Sequence, residues 1–528
     1  MIHLKINNQA ITVPAGTSVL NAAKSIGIDI PTMCYLQGNS NHPSCMVCIV
    51  KNAKSGVLFP SCAMPVEQEM DIITNDDDVR NARKDALELL LSDHVGDCEA
   101  PCRTACPAFM DIPQMNRLIA QGKHLDALRV VKEEIALPFI LGHICSAPCE
   151  KVCRRKQVDN PVSICLLKRF TAFNDSKNQL AFLPEKNQAT NKKIAIIGAG
   201  LSGLACAFYL LKLGHNCVIF DSNSEAGGTL LQLSENELPK EVLKVEVDLI
   251  KAYGAEFRLN TTINPEIIKN EIKNSFNAIV FATGDITKSN LNDFGYSVSK
   301  TGLVADSDTY ALDGTGLFAC GSALHPLKMA VKAVAQGKEA AFSVNKFLGG
   351  MPVSNRYDRF NSKFGLLQPS EIDEYLKESV ADDVITPKGG RLIGFTAEEA
   401  MLEAKRCMHC DCRKPDTCKL RLYADEYKID RKKYSLGERK TLKKHFQHET
   451  VVYEPEKCIR CGLCIEITSK NRELTGLTYI GRGFDVRVDI PFNRELSEAL
   501  TQTAKDCVDA CPTGAISLKE SNAKTERR

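Results

Sequence analysis

Ile194–Ala–Ile–Ile–Gly198–Ala–Gly200–Leu–Ser–Gly203 is the stretch on which the reading of this chain turns. Four apolar residues read as a buried strand, the glycines as a tight turn, and Leu204–Leu213 as the helix that the turn opens. A second strand follows at Cys217–Asp221. A glycine turn between strand and helix brings backbone N–H groups and a helix N-terminus against the pyrophosphate of a dinucleotide such as FAD. Asp221 ends the second strand 23 residues after Gly198, where an acidic side chain binds ribose hydroxyls. Gly227–Gly228 follows, then Gly284 behind the strand Ala278–Phe281, and Gly314 to Gly321 with a closing helix. The dinucleotide domain is read over 190–349.

Outward from that turn lie 23 cysteines, most of them in spaced groups on either side. Lys plus Arg number 67 and Asp plus Glu 65, a balance that makes no case for nucleic acid. The basic run Arg439 to Lys444 reads as a solvated helix face. No export signal is read at Met1–Ile2–His3, and no apolar stretch reaches the roughly 20 residues of a membrane span. A soluble, cytoplasmic protein is expected, in which grouped cysteines are metal ligands rather than disulfides.

Residues 1–78 alternate as half-buried strands do at His3–Ile6 and Ile11–Val13, with a short helix capped by Thr17. The acidic turn Asp76–Asp77–Asp78 closes this small domain. Residues 79–180 are patterned as helices, and Lys186 to Lys193 as a linker. A polar linker over 350–400 leads to a Cys-rich segment at 401–425, a second cysteine domain at 445–520, and a loose tail.

The first cysteine group is Cys34, Cys45, Cys48 and Cys62, spaced C-x10-C-x2-C-x13-C. Such a set can enclose two irons or one structural zinc. The second comprises His94, Cys98, Cys102, Cys106, Cys145, Cys149, Cys153 and Cys165, a number that suits two four-iron clusters. Cys407, Cys410, Cys412 and Cys418 put four thiolates into twelve residues, for a [4Fe-4S] cluster or tetrahedral zinc. Cys458, Cys461 and Cys464 with the remote Cys511–Pro512 form a [4Fe-4S] signature. Cys206, Cys217 and Cys320 read as buried apolar residues, and Cys507 as spare.

Two families share these motifs. The first cysteine group, with Ile28–Asp–Ile–Pro31–Thr–Met–Cys34–Tyr35, resembles the N-terminal [2Fe-2S] domain of the large iron–sulfur subunit of respiratory complex I, which implies a β-grasp ferredoxin fold. Cys458 to Cys511, with Ile480–Gly–Arg–Gly–Phe484, resembles a C-terminal ferredoxin-like part of the same subunit and its hydrogenase relatives. Ala100–Pro–Cys102–Arg–Thr–Ala–Cys106–Pro107, Cys145–Ser–Ala–Pro–Cys149–Glu–Lys–Val–Cys153 and Asn160–Pro161–Val–Ser–Ile164 resemble the helical two-cluster domain of the glutamate synthase small chain and dihydropyrimidine dehydrogenase. That resemblance implies Cys98, Cys102 and Cys153 on one cluster, with His94 as fourth ligand. It implies Cys106, Cys145 and Cys149 on the other, with Cys165 nearby.

The glycine order Gly198, Gly200, Gly203, Gly227, Gly228, Gly284, Gly321 is similar to the FAD half of the same small chain. Two departures stand out. Ser322 replaces the aspartate that relatives place against the flavin's ribityl chain. The relatives' inserted NAD(P)H domain is also missing: Gly321 comes only 37 positions after Gly284, where on the order of 100 residues are needed.

The expected architecture is multidomain α/β and α+β: a β-grasp domain, a helical two-cluster domain, a Rossmann-like FAD domain and a C-terminal [4Fe-4S] domain. The expected cofactors are FAD, one [2Fe-2S] and two to four [4Fe-4S] clusters. No nucleophile-and-base set stands out. The expected function is an electron-transfer subunit of a larger oxidoreductase rather than a complete enzyme. Its expected partners are NADH-binding flavoprotein subunits and a hydrogenase or formate dehydrogenase subunit. The alternative is a self-sufficient NAD(P)H-dependent oxidoreductase resembling the glutamate synthase small chain.

Overall fold

The structure, a computed structural model, describes the chain except residues 39–41, 177–180, 286–296, 313, 354–358, 364, 381, 435–436, 438 and 520–528. It divides into two compact units, one of residues 1–100, 359–377 and 410–528, the other of residues 101–358 and 378–409.

The first unit begins with strands β1 Ile2–Ile6, β2 Gln9–Val13, β3 Ile49–Asn52, β4 Leu58–Pro60 and β5 Asp71–Ile73, in spatial order β2-β1-β5-β3-β4. β1 and β5 run parallel while the other pairs are antiparallel. Helix α1, Val19–Ser25, buries Val19, Leu20 and Ala23 in a core shared with Leu4, Ile6, Val50 and Ile72. This is the expected grasp of a helix by a mixed sheet. The cap lies one residue past the expected Thr17: Ser18 Oγ accepts from the Asn21 amide at 3.2 Å.

The acidic run does not close the domain. Asp76 caps helix α2, Asp77–Ser92, accepting from the Val79 amide at 2.9 Å, and Asp77 and Asp78 occupy its first turn, where the helix dipole favours negative charge. α2 belongs with this unit: buried Arg83 donates to the carbonyls of Ile49 and Thr74 and to the Tyr427 hydroxyl. At the C-terminal end β11, Val451–Tyr453, pairs antiparallel with β14, Ile516–Leu518, and β12, Thr478–Ile480, with β13, Arg487–Asp489. The basic run 439–444 is not helical. Arg439 pairs with Glu371, Lys440 with Asp93, and Lys444 is buried.

The second unit opens with helices α3 Pro101–Ala105, α4 Ile112–Ala120, α5 His124–Glu134, α6 Pro138–Ile144, α7 Pro148–Lys151 and α8 Ile164–Ser176. A five-stranded, all-parallel sheet follows, in order β10-β9-β6-β7-β8: β6 Lys193–Ile197, β7 Asn216–Phe220, β8 Glu256–Arg258, β9 Ala278–Phe281 and β10 Leu317–Ala319. Helix α9, Leu201–Lys212, crosses between β6 and β7 and is almost wholly buried. The helix Ala330–Leu348 packs on it through Gly337, where a Cβ would stand 2.3 Å from the Ser202 carbonyl.

Residues 350–400 are not a linker. Residues 359–377 fold into the first unit and 378–409 into the second, where the helix Ala397–Lys405 packs against α4 and α8. Its Glu403 accepts from the Ser163 and Ile385 amides and pairs with Arg406.

Candidate cofactor sites

In the second unit the glycine turn borders a cavity of about 2110 Å³. Gly198 sits at φ +114°, and a Cβ there would lie 2.2 Å from the Ala282 carbonyl oxygen, so only glycine lets the turn pass under the β9 loop. Gly203 is closer still: its Cβ would lie 2.0 Å from the Gly198 carbonyl oxygen. Nothing lies within 4 Å of a Cβ on Gly200, which opens into the cavity. Asp221 ties the turn down, accepting from the Ala199 amide at 2.7 Å, and also faces the cavity.

Gly198, Gly200, Asp221, Gly228 and Gly284 line the cavity; Gly203, Gly227 and Gly321 pack behind it. Ser322 lines it as well. The void and its glycine floor suit a dinucleotide in shape. β9 and β10 are adjacent parallel strands. Among the described residues between them only isolated bridges occur, Val298–Leu303 and Ala311–Phe318, with no strand of a second dinucleotide fold.

The same cavity is walled by Cys145 and Cys165. The Cys165 amide donates to Glu150 at 2.8 Å. Burial works against the charge on Lys168, yet Cys165, Cys145, Cys149 and Cys106 raise its pKa above the ordinary lysine value. All four cysteines act on one buried ammonium, and Cys165 neighbours both Cys145 and Cys149. Lys168, one turn beyond Cys165 on α8, is a site residue that spacing alone does not announce.

Of the other expected trio, Cys102 and Cys153 lie in the second unit. Cys153 has Cys407 as a neighbour: burial pushes the Cys407 thiol up to about 11, and Cys153 raises it further. Cys102 lies on α3, which packs against α7 just before Cys153. Cys98 instead falls in the first unit, as do Cys410, Cys412 and Cys418. The boundary between the units falls within the tightly spaced 407–418 run, after His409.

In the first unit Cys34, Cys45, Cys48 and Cys62 are all buried. Hydrogen bonds from Cys45 and Cys62 hold the Cys34 thiol well below its ordinary value. Cys458, Cys461, Cys464 and Cys511 enclose a small cavity with Tyr453, Pro512 and Thr513. The left-handed residues Arg460 and Gly462 wrap the loop around it. Cys507 is wholly buried with its thiol 3.9 Å from the Cys464 carbonyl, and lies outside that set.

Among the described residues no three His, Cys, Asp or Glu side chains converge on a point for a single metal ion. A zinc draws its sulfurs to about 2.3 Å from one centre. An iron–sulfur core is itself several atoms across and stands its thiolates further apart.

Comparison with known proteins matches this architecture part by part. Residues 1–77 match the model of a 2Fe-2S iron-sulfur cluster binding domain. Residues 80–180 match that of dihydropyrimidine dehydrogenase domain II, 4Fe-4S cluster, and residues 196–259 that of an NAD(P)-binding Rossmann-like domain. The chain thus carries a 2Fe-2S domain, a helical 4Fe-4S domain and a Rossmann-like domain in one polypeptide.

The chain is 35% identical over 188 residues to the NADPH-Fe(3+) oxidoreductase subunit beta of Geobacter sulfurreducens, 35% of this chain and 28% of that protein. It is 33% identical over 207 residues to the NADP(+)-dependent formate dehydrogenase subunit beta of Moorella thermoacetica, 35% of this chain and 29% of that protein. To the glutamate synthase [NADPH] small chain of Bacillus subtilis it is 32% identical over 182 residues, 34% of this chain and 37% of that protein. Each match spans less than half the relative's length. No described helix is long and apolar enough to cross a membrane.

Proposed function

We propose that the chain is an iron–sulfur flavoprotein subunit that passes electrons between partner subunits of a larger oxidoreductase. One observation carries the reading: Cys145 and Cys165 line the same cavity as Gly198, Gly200 and Asp221. A dinucleotide seated there would lie against a thiolate quartet. FAD, when bound, supplies the exchange of electron pairs for single electrons. The protein's own part is positional. The glycine turn offers backbone N–H groups to the pyrophosphate, Asp221 faces the ribose, and Lys168 offsets the negative charge of the Cys106, Cys145, Cys149 and Cys165 set.

The proposal assigns one [2Fe-2S] cluster to Cys34, Cys45, Cys48 and Cys62, and one [4Fe-4S] cluster to Cys458, Cys461, Cys464 and Cys511. A second [4Fe-4S] cluster belongs to the Lys168 quartet, and Cys102, Cys153 and Cys407 contribute to a third. The names of the Geobacter and Moorella relatives, both beta subunits, support a subunit role. An NADH-binding flavoprotein subunit and a hydrogenase or formate dehydrogenase subunit are the proposed partners, in the cytoplasm.

The test is the visible spectrum of the anaerobically purified chain, alone, with NADH, NADPH and then dithionite. Bleaching by dithionite and by neither nucleotide is expected, since no second dinucleotide fold is found among the described residues. Rapid bleaching by either nucleotide would replace this reading with the self-sufficient NAD(P)H oxidoreductase.

A further inference from the structure

Within the first unit, Cys98, Cys412 and Cys418 are 7–8% exposed, and both Cys412 and Cys98 act on the Cys418 thiol, which also packs in a core with Cys34, Cys45 and Cys461. The Cys412 amide donates to the Cys98 carbonyl at 3.2 Å, which sets these two residues side by side although more than three hundred residues separate them in sequence. Cys418 starts the helix Lys419–Glu426, and the Lys419 amide donates to the Pro512 carbonyl at 2.8 Å. The Cys412 sulfur lies against Gly514, so close that a Cβ there would stand 2.3 Å from it. Both anchors fall on one turn, Pro512–Gly514. The Cys98 sulfur accepts from the Ser362 amide at 3.4 Å, the backbone N–H contact that a thiolate ligand uses.

A further buried group is His94, whose imidazole lies near Lys457 and Arg431. It follows α2 directly, and the Val95 amide donates to the Glu456 carbonyl at 3.0 Å, which runs the His94–Cys98 segment alongside Glu454–Cys458. Gly96 lets that segment through: a Cβ there would meet the Lys457 side chain at 2.7 Å. The Nδ1 atom of His94 is shut off from solvent and has no hydrogen-bond partner. A buried imidazole nitrogen without a partner is unfavourable unless something binds it. Lys457 and Arg421 are buried beside the group, paired with Glu454 and Glu99, in surroundings that favour anionic thiolates.

We infer that Cys98, Cys412, Cys418 and His94 Nδ1 form a separate [4Fe-4S] site in the first unit. It takes Cys98 and His94 away from the helical domain's clusters, and Cys412 and Cys418 away from Cys407. The inference rests on the reading of the chain as a cluster carrier. A neutral imidazole replaces one thiolate, so this site carries one negative charge fewer than the Cys458 set in any given oxidation state.

Iron and zinc content, redox-titrated EPR and pulsed-EPR nitrogen couplings of the full-length, anaerobically purified chain test it. C98S, C412S and C418S should each remove about four irons per chain and abolish the same EPR signal, leaving the [2Fe-2S] and Cys458-set signals in place. The wild-type signal should carry a strong nitrogen coupling. H94C should keep the iron, lose that coupling and lower the midpoint potential, whereas S362A should keep both iron and coupling. If C98S instead removes the signal that C153S removes, or if zinc disappears with C412S, the site is overturned. If the nitrogen coupling survives in H94C, His94 is not its ligand. A wild-type chain without iron would overturn the cluster-carrier reading itself, a result separate from any of these.

Discussion

Lys168 is the residue whose setting says most about the chemistry. A lysine 3% exposed among four cysteines is a fixed positive charge at the place where an added electron would reside. K168M should lower the midpoint potential of that cluster by on the order of 100 mV, about 2 kcal/mol in a one-electron couple. Redox-titrated EPR of K168M against wild type measures the shift. Gly198 is the counterpart in the dinucleotide cavity. G198A drives a methyl group into the Ala282 carbonyl and should weaken flavin binding by about tenfold or more, at least ~1.4 kcal/mol, while leaving iron content unchanged. Flavin and iron assays on the same preparation separate the two. Gly198 was legible because a strand–glycine–helix pattern is local. Lys168 was not, since its partners come from α3, α6 and α7 as well as its own helix, and no local pattern encodes that meeting.

Among the elements, α6 decides where Cys145 points, and it is held by a carboxyl from elsewhere in the chain. Glu246, on the helix Lys240–Ala252, accepts from the Phe139 and Ile140 amides at 2.8 and 2.9 Å, capping α6 across more than a hundred residues. Burial pushes its pKa up from 4.5 to about 7, against the lowering effect of those two amides. A carboxyl whose folded pKa is raised contributes stability that is complete below its unfolded value. That stability is lost as pH rises through the folded value, because the native state holds the proton longer. The second unit should therefore lose on the order of 3 kcal/mol between about pH 4.5 and 7 from this group alone. In E246Q that part of the pH dependence should be absent, which Tm measured from pH 5 to 8 for both proteins checks. The strands and helices around the glycine turn follow from hydrophobic period and turn chemistry. The Glu246 cap does not, because it joins elements distant in sequence.

At the scale of the whole molecule the composition announced a carrier of clusters, and the sheet and helix classes followed from local pattern. What spacing leaves open is which cysteines meet. Cys407 to Cys418 look like one site because they are close in sequence, yet Cys407 neighbours Cys153 while Cys412 lies beside Cys98. The 350–400 stretch was misread for a related reason: its polar composition conceals Glu371, a wholly buried carboxylate paired with Arg439, which no periodicity signals.

The common wall of cavity and quartet has a consequence for survival in air. Whatever fills the 2110 Å³ cavity also screens Cys145 and Cys165 from dissolved oxygen. On the proposed reading, a chain without its dinucleotide would present those sulfurs to the solvent, so the lifetime of a cluster there would be tied to the residence time of a different cofactor. On exposure to air its EPR signal should decay before that of the Cys458 set, and added FAD should slow the first decay without touching the second.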